Sequence, residues 1–314
     1  MTIDFHTHVF PEALAPRAIE ELRHTLYGEY QPVSDGTVAG LIRNMDDWKI
    51  DVSVISPVII KKEHVRKVNQ WIAGVCSEKI AGVTSDRTGV TSDRLAGVAS
   101  ERATDITSER ATDITSERAT DITSDRLVGF GGVYPHDGDF KADIDHAVSL
   151  GLKGLKFHAE YQDFIVDDKH MLKIYDYALG KGLIILQHAG FDPGFRPPFK
   201  SSPKQFANIV SAMRGGIIVA AHLGGHDQWD DVEKYLVGSG IYLDTSMGFE
   251  FYPHDQFKRI VKNHGADKIL FGSDAPWSNA GTEIEALKSL DLTENEKNAI
   301  SGDNAKRILG LASN

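Results

Sequence analysis

Leu183-Ile-Ile-Leu-Gln-His188 decides how this chain folds. Four apolar residues in succession suit a strand covered on both faces, as in a parallel sheet flanked by helices. The run then stops at a histidine. Ile217-Ile-Val-Ala-Ala-His222 repeats the design, and Gly154-Leu-Lys-Phe-His158 is a third version. Helical patterns lie between them, at His170 to Lys181 and Pro203 to Met213. Strand, helix, strand in strict alternation predicts parallel β/α units.

The alternation extends in both directions. Upstream are strands at Ile3 to His8, Val52 to Pro57 and Leu127 to Val133. Helices are expected at Pro11 to His24, Thr37 to Lys49, Lys62 to about Cys76, and Asp139 to Leu150. Thr37 to Lys49 carries Val38, Leu41, Ile42, Met45 and Trp48 at helical spacing. Downstream come a helix at Asp230 to Val237, a strand at Ile241 to Asp244, a helix at His254 to His264, and a strand at Lys268 to Asp274. Helices at Thr282 to Leu290 and Thr293 to Leu309 close the chain. Eight such strands predict an α/β protein, a (β/α)₈ TIM barrel. An open doubly wound sheet is the other way to use them, but no glycine-rich phosphate turn follows the first strand.

One segment breaks the pattern. Ala103–Arg110, Ala111–Arg118 and Ala119–Arg126 all read Ala-Thr-Asp-Ile-Thr-Ser-(Glu/Asp)-Arg, and looser copies precede them. On a helix of 3.6 residues per turn an eight-residue period drifts by about 80° per copy, so the isoleucines spiral. On a strand they share a face with Thr, Ser and Arg. Neither form buries much, and Thr, Ser and Asp weaken an isolated helix. The expectation is a barrel from 1–78 and 127–314, with 79–126 a poorly packed or disordered low-complexity repeat inserted in a helix-to-strand connection. Such connections lie at the face opposite a barrel's active site. The alternative for the repeat is a module that binds a partner.

Composition narrows the function. Of 314 residues, 41% are hydrophobic and 25% charged, as in soluble globular proteins. A net charge of −11 argues against nucleic acid and anionic membranes as partners. No apolar run reaches membrane-spanning length, and no basic-then-apolar leader precedes the first strand. A cytoplasmic protein with a small-molecule substrate is expected, with a homo-oligomer left open. The single cysteine, Cys76, is read as a core residue of its helix, with no disulfide to form.

The chemistry sits where the strands end. Of thirteen histidines, His6, His8, His158, His188 and His222 fall at carboxyl ends of predicted strands, and Asp274 ends the last one. In a barrel these ends converge on one mouth. Alternation along a strand puts His6 and His8 on one side. Histidine and carboxylate are ligands for Zn²⁺ and similar ions. Such an ion lowers the pKa of bound water, which a base must then deprotonate.

In combination, His6-Thr-His8, Gln187-His-Ala-Gly190, Ala221-His-Leu-Gly-Gly225 and Phe271-Gly-Ser-Asp-Ala-Pro-Trp277 resemble the signature of the amidohydrolase superfamily. The likeness is to its amidohydrolase-2 branch of TIM-barrel metal-dependent hydrolases, which is related to aminocarboxymuconate-semialdehyde decarboxylase. Gly302-Asp-Asn-Ala-Lys-Arg-Ile-Leu309 is similar to that branch's closing helix. By position, the resemblance implies His6, His8, His188 and Asp274 as ligands of one divalent metal, Zn²⁺ before Mn²⁺. It implies His222 as the histidine that activates water or polarises substrate, and Asp274 as a proton shuttle.

Other residues are assigned to the substrate or to orienting a neighbour. Lys156 and His158, two apart on the fourth strand, both face inward. Lys156 is read as a charge near the substrate or a buried partner of Asp4, rather than a carboxylated lysine bridging two metals. His158 binds substrate or a second metal. Asp4 points inward one layer below His6 and orients a neighbour. Loops carry specificity, so Arg196 and Lys200 are available to a substrate carboxylate, and Trp277 lies at the same face. The expected activity is hydrolysis of a C–N or C–O bond in a small carboxylated or cyclic substrate by a metal-activated water. The alternatives are a non-oxidative decarboxylase on the same metal site, and a non-catalytic metal-binding barrel acting through its repeat.

Overall fold

In the computed structural model, which describes residues 1–77, 80–81, 121–122 and 124–312, the apolar runs become parallel strands. They are β1 (Ile3–Thr7), β2 (Val52–Ile55), β3 (Leu127–Gly131), β4 (Gly154–Phe157), β5 (Ile184–Gln187), β6 (Ile218–Ala220), β7 (Tyr242–Asp244) and β8 (Ile269–Leu270). Each pairs with the next in chain order. The eight form a nearly closed barrel. Beyond the short β8, the Phe5 N–H donates to Phe271 O at 2.8 Å, Asp274 N–H to His6 O at 2.8 Å and His8 N–H to Ala275 O at 2.7 Å. These bonds bring the eighth strand's continuation against the first.

Helices cover the outside: α1 (Ala15–Arg23), α2 (Val38–Trp48), α3 (Val65–Ser77), α4 (Phe140–Ser149), α5 (Lys169–Gly180), α6 (Pro203–Ala212), α7 (Trp229–Tyr235), α8 (His254–His264) and α9 (Ala280–Ser289). Their starts follow from local chemistry. Thr37 caps α2 by accepting from Gly40 N–H, Asp168 caps α5, and Ser202 with Gln205 forms a capping box before Pro203. Among the described residues no helix is long and apolar enough to cross a membrane.

Two apolar layers result. Ile3, Phe5, Val54, Phe130, Leu186 and Val219 fill the barrel interior, with Ala305 and Leu309 of the closing helix packed against them. A larger layer joins the other strand faces to the helices. Cys76 packs against that layer, and burial pushes its thiol up to about 12, so it stays protonated.

Two features depart from simple alternation. The register of β1 against β2 shifts between Asp4 and Thr7, a bulge. Phe5 keeps the face of Ile3, its ring 5.5 Å from Phe130, and beyond the shift His6 and His8 meet at the mouth. Bulges commonly re-aim side chains beside active sites. The closing segment is also not one helix. It is α10 (Glu294–Asn298), a π turn (Ala299–Asp303) and α11 (Asn304–Leu309).

The repeat insertion expected at 79–126 lies almost wholly outside the described residues. At its borders, Ile80–Ala81 pairs antiparallel with Asp121–Ile122. The first loop is long and crosses the mouth. In the turn of its hairpin, His24–Thr25 with Gly28–Glu29, Leu26 N–H donates to Pro193 O, and beyond the hairpin Val33 N–H donates to Pro276 O.

Candidate metal centre at the barrel mouth

Strand geometry delivers the polar residues to one place. His6 lies on β1 and His8 just beyond it. Lys156 is on β4 with His158 after it. His188 and His222 follow β5 and β6, Asp244 ends β7, and Asp274 follows β8. All but His8 are buried, and His8 is partly so. Gly190 in the His-Ala-Gly turn holds φ +88°, and a Cβ there would stand 2.3 Å from His226 N. Only glycine lets the loops after β5 and β6 bridge this closely.

His6, His8 and Asp274 form a group able to hold a metal ion. His6 Nε2 is 3.2 Å from His8 Nε2 and 3.3 Å from Asp274 Oδ1, and His8 Nε2 is 3.0 Å from the same oxygen. The opposite ring nitrogens fix what these atoms carry. His8 Nδ1 is 2.5 Å from the Ser56 carbonyl, which can only accept, so Nδ1 bears the proton. His6 Nδ1 is 3.0 Å from Asp244 Oδ2 and donates to it. Both Nε2 atoms therefore present lone pairs to each other and to a carboxylate oxygen. Three mutually repelling donors at this spacing are a good fit to a divalent cation. In the structure the Lys156 ammonium approaches instead, its Nζ 2.7 Å from His6 Nε2.

His188, the fourth expected ligand, stands in a second group with His158 and Asp192. Its ring stacks on that of His158, centroids 4.0 Å apart and 16° from parallel. His158 Nε2 faces Asp192 Oδ2 at 3.1 Å. His188 Nδ1 is 3.0 Å from His222 Nε2, and the His222 ring centroid is in turn 5.5 Å from that of His6. Among the described residues, His188 Nε2 and His158 Nδ1 are buried with no hydrogen-bond partner. Buried polar atoms left so cost stability.

Burial governs the charges. It pushes His188 well below the usual imidazole range, His222 to about 3, and Lys156 down to about 8. His188 and His222 are therefore neutral at pH 7, the state a metal-ligating imidazole needs. Burial alone would raise Asp244, but His6, which donates its Nδ1–H to that carboxylate, outweighs burial and holds it ionised. Burial raises Asp4 to about 7 against the hydrogen bonds it receives.

Other expected residues are placed as follows. Asp4 accepts from the Ser273 N–H and hydroxyl at 2.9 and 2.5 Å, and from His6 N–H at 3.2 Å. Its partner is thus Ser273, while Lys156 reaches His6. Trp277 is half-buried in the turn after Asp274, its N–H donating to Asp274 O. Arg196 is exposed on the loop after β5. Lys200 is paired with Asp163.

Several contributors escape the sequence reading. Asp244 and Ser246 hold His6 and His222 from behind. Asp192 orients His158. Gln162 accepts from His158 N–H at 2.9 Å and donates to Ile59 O and Val133 O, which ties together the loops after β2, β3 and β4. Asp244 was discoverable, since it ends a predicted strand as Asp274 does. Asp192 and Gln162 lie in loops, where no periodicity marks them.

Comparison with known proteins agrees with this architecture. The amidohydrolase family model, of the amidohydrolase-2 type, matches residues 3–311. No curated protein matches the chain. Among solved structures, 5-carboxyvanillate decarboxylase from Sphingomonas paucimobilis is similar at TM-score 0.65 and 14% identity, covering 99% of both chains. The same enzyme type from Novosphingobium aromaticivorans, with bound manganese, gives TM-score 0.65 and 13% identity over 99% of this chain and 97% of that one. A candidate 2-pyrone-4,6-dicarboxylic acid hydrolase from Pseudomonas putida gives 0.60 and 14%, over 100% and 98%.

Proposed function

This chain belongs to the amidohydrolase-2 family, and from that premise and the geometry of its mouth we propose that it is a metal-dependent hydrolase of a small carboxylated or cyclic molecule. The observation that carries the reading is the triad of buried His6 and Asp274 with half-buried His8, both imidazole lone pairs turned inward by Ser56 and Asp244. These three residues would hold one divalent ion, and His188, its buried Nε2 without a hydrogen-bond partner, is the remaining candidate ligand. The ion would be zinc, with manganese the alternative, as a manganese-bound decarboxylase shares the fold. When bound, it supplies Lewis acidity and a water of lowered pKa.

The chain's own groups do the rest. Asp274, ionised and at the triad, takes and returns a proton. His222 is neutral, donates its only N–H, on Nδ1, to the Ser246 carbonyl, and turns its Nε2 lone pair inward beside His188, where it orients the reacting group. Lys156 places a positive charge beside His6, and His158 with Asp192 lines the side towards the loop after β5.

A second reading is non-oxidative decarboxylation, which the decarboxylases among the similar folds favour. The test is metal analysis followed by a panel of small esters, lactones, amides and aromatic carboxylic acids, run in ¹⁸O-water. Label in the product with no CO₂ marks hydrolysis. CO₂ release without label marks decarboxylation and displaces the first reading. A protein that takes up no metal sinks both.

A further inference from the structure

Asp244 ends β7 with a fully buried carboxylate whose two oxygens face different partners. Oδ1 accepts three donors: His222 N–H at 3.0 Å, Ser246 N–H at 3.0 Å and the Ser246 hydroxyl. Oδ2 faces His6 Nδ1 at 3.0 Å. Because the Ser246 hydroxyl gives its proton to Asp244, it offers only lone pairs to His222 Nδ1 at 2.9 Å and His6 Nδ1 at 3.0 Å. The Ser246 carbonyl, 3.1 Å from His222 Nδ1, is likewise only an acceptor.

Every group around the two Nδ1 atoms therefore accepts, and both imidazoles must carry the proton there. We propose that Asp244 is a positioning residue that fixes the tautomers of both His6 and His222, directly for His6 and through Ser246 for His222. One carboxylate thereby decides which nitrogen of His6 is open to a cation and, with the Ser246 carbonyl, leaves the lone pair of His222 on Nε2, beside His188. Lys156 gives independent support. An ammonium has donors and no acceptor, so its 2.7 Å approach to His6 Nε2 is favourable only if that nitrogen holds a lone pair. The consequence for metal binding rests on the reading of His6, His8 and Asp274 as ligands.

Asp244→Asn is the decisive variant because its orientation is forced. The side-chain carbonyl must take the Oδ1 position, where three donors converge, which leaves the NH₂ pointing at His6 Nδ1. His6 then moves its proton to Nε2, into the triad. Zinc affinity, measured by competition with a chromophoric chelator, is expected to fall by about 10–100-fold, the usual effect of losing a ligand's outer partner. Ser246→Ala keeps the Asp244–His6 bond and the Ser246 carbonyl, so its zinc affinity should match the wild type.

Histidine ¹⁵N shifts of the metal-free protein provide a readout that needs neither metal nor activity. They should show Nδ1–H for His6 and His222 in the wild type, and Nε2–H for His6 in Asp244→Asn. Nε2–H for His6 in the wild type overturns the proposal, even if the variant fails to fold. Wild-type zinc affinity in Asp244→Asn overturns it too. A wild type that binds no zinc sinks the metal reading and the affinity half of the proposal, while the shifts still decide the tautomer half.

Discussion

His222 and Asp274 adopt positive φ, 56° and 70°, without being glycine. Such backbone costs on the order of 1–3 kcal/mol and persists where the surroundings impose it. Here they do: His222 N–H is held by Asp244 and Asp274 N–H by His6 O. Asp274→Asn keeps that backbone bond and removes the charge. Its metal affinity should drop by more than the roughly 10–100-fold expected for an outer partner, and turnover by about 10²–10⁴-fold, read by metal analysis and steady-state rates. Unchanged metal content would remove Asp274 from the ligand set. Glu283 gives a stability test away from the triad. It accepts from Phe249 N–H and the Ser278 hydroxyl, and burial raises it to about 7 from 4.5. An acid raised on folding binds more protons when folded, so its contribution falls as pH climbs from about 4.5 to 7 and is flat above. Glu283→Gln removes this slope. Relative to wild type, the variant should gain on the order of 2–3 kcal/mol between pH 4.5 and 8, read from urea midpoints. A constant difference across that range would show that Glu283 is not raised. Strand-end histidines were legible because each closes an apolar run. Asp244 closes one too, but its role depends on which residues two other strands place against it, and that is tertiary information.

At the scale of elements, the alternation of apolar runs and helical patterns was readable because each buried strand needs unbroken apolar sequence. What escaped was set by contacts between elements. β8 was expected over Lys268 to Asp274, but only Ile269–Leu270 forms ladder, because Phe271 N–H donates instead to Ile300 O in the closing segment. That carbonyl is free because the segment opens into a π turn, in which Asn304 N–H bonds Ala299 O. No periodicity within Thr293 to Leu309 signals this, since the cause lies in the strand it meets. Gly302 belongs to the same joint: a Cβ there would lie 2.1 Å from Met1 O. The β1 bulge is similar, since Ile3 to His8 alternates well enough that only pairing with β2 reveals the shift. Asn304 secures the joint by donating to Ala266 O at 2.7 Å and Ile269 O at 2.8 Å. Asn304→Leu takes this donor from Ile269 O and leaves Ala266 O only the Ile269 N–H, which should cost about 1–3 kcal/mol, seen as a lower denaturant midpoint with normal metal content. A loss under about 0.5 kcal/mol would show that other groups satisfy these carbonyls.

For the whole molecule, the barrel separates its two faces. The triad and its supports lie at carboxyl ends of strands, whereas the connection from α3 to β3 enters from the other side. Arg126, just before β3, donates to Ile50 O at 2.9 Å and pairs with Asp46 at 2.6 Å, and both partners precede β2. The segment's borders also meet each other, with Ile80 opposite Ile122 and Ala81 opposite Asp121. A two-residue Asn-Gly turn is the preferred closure of an antiparallel pair, so residues 82–120 can be replaced by one that joins Ala81 to Asp121. Closing a shorter loop costs slightly less entropy, with each halving worth about 0.6 kcal/mol. From 39 residues to two is just over four halvings, so the shortened chain should keep its metal content and turnover and be more stable than the parent by up to about 2.5 kcal/mol. A folded variant that loses both metal and activity would tie the repeat to the mouth across the length of the barrel. A variant that keeps both but loses a binding partner would make the repeat an interaction module carried by an independent enzyme.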